Sequence, residues 1–354
     1  MKDKILITLF CGFITITGLL GLIVPDLEIS KSERRHLQQF PNFKLSSLWI
    51  KDVDKYLLDH FPKRDTFRSI KANYNYKILN KLDNNKIYIK DKYIFKSEYP
   101  TNKKSIKNFS DKVKILNNLL TTNNNTYMMI IPDKNYYLKS KDFLKIDYNY
   151  LYNEIHKLGL KDIDVTNLLQ LEDYYETDTH WKQENLEKVI KHLSKEMNFN
   201  YKTINYQKQH YNNFYGVYYG ESALKRSPET LTYLTNDLLD NVNVNYLENK
   251  KLHNIYNIKK LKSLDSYNVF LDGASSFIEI ENKASTNSKE LVIFRDSFGS
   301  SLVPLLVNYY SKITVIDNRY IGSNLIKNKV TFNNQDVLFM YSTLLINNSF
   351  SMKG

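Results

Sequence analysis

From Ile5 to Val24 the chain runs twenty residues without a charge. As a helix rising about 1.5 Å per residue, this run is roughly 30 Å long, the thickness of a bilayer's hydrocarbon core. The pattern therefore predicts a membrane span. Lys2 and Lys4 precede it and Pro25, Asp26 and Glu28 follow, so the positive-inside rule places the N-terminus in the cytoplasm and the bulk of the chain outside a cell membrane crossed once. A cleaved signal peptide is the competing reading, and the lack of a small-residue cleavage site near Val24 speaks against it. A buried core helix is a third, disfavoured by the uninterrupted length.

Beyond the span, residues 26 to about 70 read as a polar, Pro-broken arm passing into helix. Apolar residues at Leu48, Val53, Tyr56 and Leu57 fit an amphipathic helix stopping at Pro62. A second helix is expected over Thr66–Leu82. The stretch 86–97 alternates with a period of two around Lys90-Asp91-Lys92, which predicts a hairpin. A helix from Ser105 ends in an Asn-rich loop, and Thr126–Asn135 is continuously apolar at its start, as expected for a strand buried on both faces. The alternation then repeats: helix around Leu151–Leu158, a strand-like stretch at 161–167, helix Asn185–Met197, strand 290–296, helix 300–312, and strands at 313–319 and 336–342. Apolar strands alternating with helices predict an α/β domain of three layers, α/β/α, around a mainly parallel sheet. Residues 200–285, rich in Tyr and Asn, give no clear pattern. The expected organisation is an anchor or signal over 1–25, an arm with helices over 26–82, and the α/β domain over 83–354.

Composition narrows this little. Of 354 residues, 42% are hydrophobic and 25% charged, which is ordinary globular usage and excludes wholesale disorder and collagen. The only cysteine, Cys11, permits no internal disulfide. A net charge of +12 attracts polyanions. An extracytoplasmic position disfavours nucleic acid among these and leaves wall polymers and lipid headgroups. No His-rich or Cys-rich spacing and no glycine-rich phosphate loop is present, so neither metal nor cofactor is expected.

In open α/β sheets ligands bind at the carboxyl ends of the strands. The segment Leu291–Gly299 takes an apolar strand straight into a tight turn at Ser297 with a helix opening behind it. A serine there can present its Oγ at the top of the sheet, with the first helical amides facing a developing oxyanion; equally, it can merely cap the helix. Asp178 and His180, two apart in Thr177-Asp178-Thr179-His180-Trp181, can face the same way in extended backbone and supply a base and its orienting carboxylate. The plainer reading is an N-cap followed by a surface histidine. The other six histidines lack a comparable carboxylate motif; His60 follows Asp59, but in an arm helix, where a structural role is expected. Arg319 and Tyr320 follow a predicted strand and are candidates for touching substrate, or for an Arg–carboxylate pair and a packed ring.

Taken together, Ser32–Arg35 with Phe40-Pro41, Asp59–Asp65, Ile131–Lys134, Asp178–Trp181, Phe214–Gly216, Asp296–Phe298 and Asp317–Tyr320 resemble the DHHW proteins, relatives of the AlgX/AlgJ type of alginate O-acetylation protein with an SGNH-hydrolase-like fold. The seven motifs cover nearly the whole chain outside the span, in the right order. The resemblance implies an extracytoplasmic triad of Ser297 as nucleophile, His180 as base and Asp178 as its orienter, acting on acyl esters of a cell-surface polysaccharide, with a multispanning membrane acyltransferase as partner. Two departures stand out. Thr179 occupies the position of the first His of Asp-His-His-Trp, leaving the Asp–His spacing intact. Arg295 replaces the Gly of the usual Gly-Asp-Ser, where a bulky cation would narrow the site or steer an anionic polymer. The family's oxyanion-hole glycine and asparagine have no clear counterpart. The expected function is an O-acyltransferase or esterase, with a non-catalytic glycan-binding or scaffold protein of a polymer-export complex as the rival.

Overall fold

A computed structural model describes residues 2–139, 143–247 and 249–353. It divides into two compact units, one of residues up to Asn85 together with Tyr219–Arg226, the other of Lys86–Tyr218 and Ser227 onward.

In the first unit, helix Lys2–Ile23 is long and apolar enough to cross a membrane. Ser46 caps helix Ser47–Asp59 by accepting from the Trp49 amide. Helix Arg64–Asn73 follows and then widens into a π turn over Tyr74–Ile78, so the helix expected over Thr66–Leu82 closes early. Asp59 binds Arg35 through both carboxylate oxygens and accepts the Gln38 amide, while His60 Nε2 lies 3.0 Å from the Gln38 carbonyl. These bonds fasten the arm to the helix, and they account for both residues structurally.

The second unit is built on an eight-stranded sheet. In chain order its strands are β1 (Asn125–Ile131), β2 (Lys161–Asp162), β3 (Asn243–Tyr246), β4 (Asn249–His253), β5 (Phe277–Glu281), β6 (Glu290–Arg295), β7 (Lys312–Ile316) and β8 (Asp336–Ser342). Their order across the sheet is β4-β3-β5-β7-β6-β8-β1-β2. The five strands from β7 to β2 are mutually parallel, and the other pairings are antiparallel. The fold is thus α/β with a mainly parallel sheet, as the alternating pattern predicts. The strand-like stretch at 161–167 pairs only over β2, and the expected hairpin forms at Ile87–Lys90 and Tyr93–Lys96.

Both faces of the sheet are covered. Leu291, Ile293, Met129 and Leu338 pack on one side with the helices carrying Val189, Leu193, Leu302 and Leu306. Val292, Phe294, Met128 and Phe339 pack on the other with Phe109, Val113, Leu151 and Ile326. Successive strand residues therefore enter opposite apolar layers, which is why β1, β6 and β8 read as continuous hydrophobic runs rather than alternating ones.

Candidate active site

β6 ends at Arg295, and the chain turns sharply before helix Gly299–Leu306. Asp296 pins the turn. Its Oδ1 accepts the Phe298 amide at 3.0 Å, and its Oδ2 accepts the Ser342 amide at 2.8 Å and the Ser342 hydroxyl at 2.6 Å. Gly299 is required by close approach: a Cβ there would lie 2.6 Å from Met340 Cε and 2.9 Å from Arg295 Cβ. This packing leaves Ser297 partly exposed at the carboxyl edge of the sheet.

Ser297 meets a residue 117 positions earlier. His180 Nε2 lies 2.8 Å from Ser297 Oγ, and His180 Nδ1 lies 2.6 Å from Asp178 Oδ1. Burial alone would raise the Asp178 carboxyl. The facing His180 imidazole and the amides of His180 and Val217 outweigh that and hold it well below the usual carboxylate range. An ionised Asp178 fixes the proton on Nδ1, so Nε2 is left to accept from the serine hydroxyl. Asp178 is 1% exposed and His180 7%. The three candidates Ser297, His180 and Asp178 are thus brought together in one hydrogen-bonded line.

The loop carrying Asp178 and His180 is held on several sides. Glu229 accepts the amides of Glu176 and Thr177 at 2.6 and 2.7 Å and the Thr177 hydroxyl at 2.5 Å. Val217 donates its amide to Asp178 Oδ2, and Gly216 donates to Thr177 Oγ1. A side chain at Gly216 would place its Cβ 2.3 Å from the Thr177 carbonyl and the Asp178 nitrogen, so only glycine fits against this loop. Trp181, fully buried, donates its indole N–H to the Phe298 carbonyl at 3.1 Å and to Ser301 Oγ at 3.0 Å, tying the histidine loop to the serine helix. Tyr267 lies flat on the His180 ring, centroids 3.9 Å apart and planes 6° off parallel, and its hydroxyl donates to Ser301 Oγ.

The remaining candidates sit differently. Arg295 is 1% exposed; its Nη1 donates to the Asp296 carbonyl and to Ser300 Oγ, with Asp317 3.9 Å away. Burial pulls this guanidinium below its ordinary value. It faces inward beneath the turn, which removes the expectation that it steers a polymer from the surface. Arg319 closes on Asp317 through Nε at 2.9 Å and Nη2 at 2.6 Å, the carboxylate pair foreseen as its plainer role. Tyr320 beside it is 48% exposed. Both follow β7, which neighbours β6 in the sheet. The amides of Phe298, Gly299 and Ser300 donate to Asp296 Oδ1, the Asp296 carbonyl and the Ser297 carbonyl, so the turn itself uses the helical donors expected to face an oxyanion.

A crystal structure of a DHHW family protein from Eubacterium siraeum superposes on this chain with a TM-score of 0.63, covering 76% of this chain and 95% of its own at 20% identity. The chain has the fold of a DHHW protein. Bacillus cereus PatB1 bearing a sulfonyl adduct aligns with a TM-score of 0.56 at 20% identity, covering 73% of this chain and 95% of its own. The O-acetyltransferase domain of Pseudomonas putida AlgJ aligns with a TM-score of 0.43 at 12% identity, over 74% of this chain and 92% of its own. No protein-family model matches the sequence, and no curated protein does. The DHHW fold agrees with the seven sequence motifs, and the site geometry gives several of them a physical role: the Trp of Asp-x-His-Trp binds the serine helix, and the Gly of Phe214–Gly216 clears the Asp178 loop.

Sequence reasoning missed Glu229 and Tyr267. Both fall in the Tyr- and Asn-rich stretch whose periodicity assigns nothing, and neither sits in a motif.

Proposed function

We propose that this chain is a serine-dependent O-acyltransferase or carbohydrate esterase, anchored in a membrane with its bulk outside, that moves an acyl group onto or off a hydroxyl of a surface polysaccharide. One observation carries the reading: His180 stands 2.8 Å from the Ser297 hydroxyl and 2.6 Å from the Asp178 carboxylate. A serine hydroxyl is a poor nucleophile until a base takes its proton, and this line supplies the base in the correct tautomer.

In the proposed reaction Ser297 Oγ bonds to the acyl carbon while its proton passes to His180 Nε2. The oxygen of the donor ester leaves with that proton. A glycan hydroxyl then attacks the acyl-serine, gives its proton to His180, and Ser297 recovers it. Water in place of the glycan makes the same sequence a hydrolysis. Acetyl as the acyl group, a surface polysaccharide as acceptor and a multispanning acyltransferase as donor-side partner are supported by the seven DHHW-like motifs. The outward orientation is supported by helix Lys2–Ile23 and its flanking charges. Arg319 and the exposed ring of Tyr320, whose centroid lies 5.4 Å from the guanidinium, are the proposed contacts to the sugar.

Ser297→Ala should lower ester turnover and surface-glycan acetylation by a factor of about 10³ or more at equal protein level. Unchanged acetylation in that variant would reject the enzyme and leave a binding protein.

A further inference from the structure

The motif Ile131–Lys134 leaves the sheet at the carboxyl end of β1 and ends in a buried cation. Asp133 shapes the exit: its Oδ1 accepts the Asn135 amide, and its Oδ2 accepts the hydroxyls of Tyr148 and Thr343. Lys134 is 2% exposed, yet its ammonium spends its donors on main chain alone. Nζ donates to the carbonyls of Tyr175 at 3.1 Å, Glu176 at 3.1 Å and Asp178 at 2.7 Å. The rings of Phe95 and Tyr218 cover it, with centroids 5.5 and 5.0 Å away. Glu229 takes the amides of Glu176 and Thr177 and the Thr177 hydroxyl.

We propose that Lys134 and Glu229 are the two jaws of a clamp that positions the His180–Asp178 pair against Ser297. One jaw takes the carbonyls of Tyr175, Glu176 and Asp178 and the other the amides of Glu176 and Thr177, so the segment 175–178 is gripped through both kinds of backbone group and Glu176 by both jaws. A buried carbonyl or amide left without a partner bears its full desolvation penalty, so opening either jaw displaces the loop. The side chains next in the chain are the ones that must meet Ser297 Oγ within hydrogen-bonding reach. Neither residue touches the reacting atoms; both act through Asp178 and His180. Burial pulls the Lys134 ammonium down to about 7 against the pull of Asp178, Glu229, Asp133 and Glu176, which is the cost of keeping a cation in this position rather than on the surface.

This inference rests on Ser297, His180 and Asp178 being the reacting groups, and the test separates the two. Turnover of p-nitrophenyl acetate and the rate of covalent labelling by an arylsulfonyl fluoride are measured for the full-length protein and for Lys134→Met, Glu229→Gln, His180→Ala and Ser297→Ala. A misplacement of about 1 Å costs on the order of 10²-fold in rate. Lys134→Met and Glu229→Gln are therefore expected to lower kcat by roughly 10² with KM held within about twofold, and to slow labelling in parallel. Ser105→Ala, which breaks bonds to Ile346 and Ser349 far along the chain from the loop, serves as the control for lost stability and should leave kcat unchanged. An unchanged kcat in either folded clamp variant, or a loss no greater than that of Ser105→Ala at equal Tm depression, overturns the clamp. If Lys134→Met does not fold, Glu229→Gln alone decides by the same criterion. No turnover and no labelling in the unsubstituted protein would instead reject the reading of the triad.

Discussion

Replacing Asp178 by Asn keeps the volume of the side chain and removes its charge. The carboxylate accepts three bonds: from His180 Nδ1 at 2.6 Å, from the His180 amide at 3.0 Å and from the Val217 amide at 2.8 Å. An amide has one oxygen for these donors. If that oxygen stays with Val217, the new NH₂ faces Nδ1 and forces the proton onto Nε2, where it points at Ser297 Oγ and the base is lost. If the oxygen turns to His180, the NH₂ collides with the Val217 N–H and the imidazolium still has no counter-charge. A charge-assisted bond contributes about 1.5–3 kcal/mol, and the wrong tautomer adds to that. A total near 5 kcal/mol corresponds to a loss of roughly 10³ to 10⁴ in kcat. Steady-state hydrolysis of p-nitrophenyl acetate, with folding checked by circular dichroism, reads this directly. A folded Asp178→Asn protein with kcat within tenfold of the original would refute the role assigned to the carboxylate.

Three further outcomes are expected. Trp181→Phe keeps most of the apolar burial but strips the donor from the Phe298 carbonyl and Ser301 Oγ, so unfolding by urea should show a loss of about 1–3 kcal/mol; an unchanged midpoint would contradict the tie between loop and helix. Tyr267→Leu removes the ring stacked on His180, and if that face stabilises the imidazolium by about 1 kcal/mol, kcat should fall roughly fivefold, whereas Tyr267→Phe keeps the stack and should keep kcat. Asp59 is held down to about 2, chiefly by its bond from Arg35 with burial opposing. Its folded value lies below the unfolded one, so its stabilisation is present above about pH 4 and is lost as pH falls toward 2; thermal unfolding across that window should show the loss, and Asp59→Asn should make the dependence shallower, leaving the part due to other depressed carboxylates such as Asp178.

The parts of the fold legible in the sequence are those whose burial writes a pattern. β1, β6 and β8 are buried on both faces, so their apolar runs stand out, and Ser297 is placed by the strand that ends just before it. The Asp178–His180 spacing is legible because both partners lie in one short loop. Strand Gln207–Phe214 is mostly exposed and carries no apolar alternation, which is why the stretch holding Glu229 and Tyr267 gives no sign of what it contributes. Lys134 is marked by its motif, but nothing in a sequence distinguishes an inward lysine from a surface one. Arg295 misleads for the same reason: its charge suggests the surface, and the side chain instead lies buried, bonded to the Asp296 carbonyl and Ser300 Oγ. The π turn at Tyr74–Ile78 shortens a helix whose polar pattern continues without a break.

The most direct test of the central claim is peptide mapping by mass spectrometry after brief exposure to p-nitrophenyl acetate and an acid quench. One acetyl group on Ser297, absent in the His180→Ala protein, is the predicted result. A protein that turns over the ester with no acetyl on Ser297, or that acetylates Ser297 equally well without His180, would contradict it.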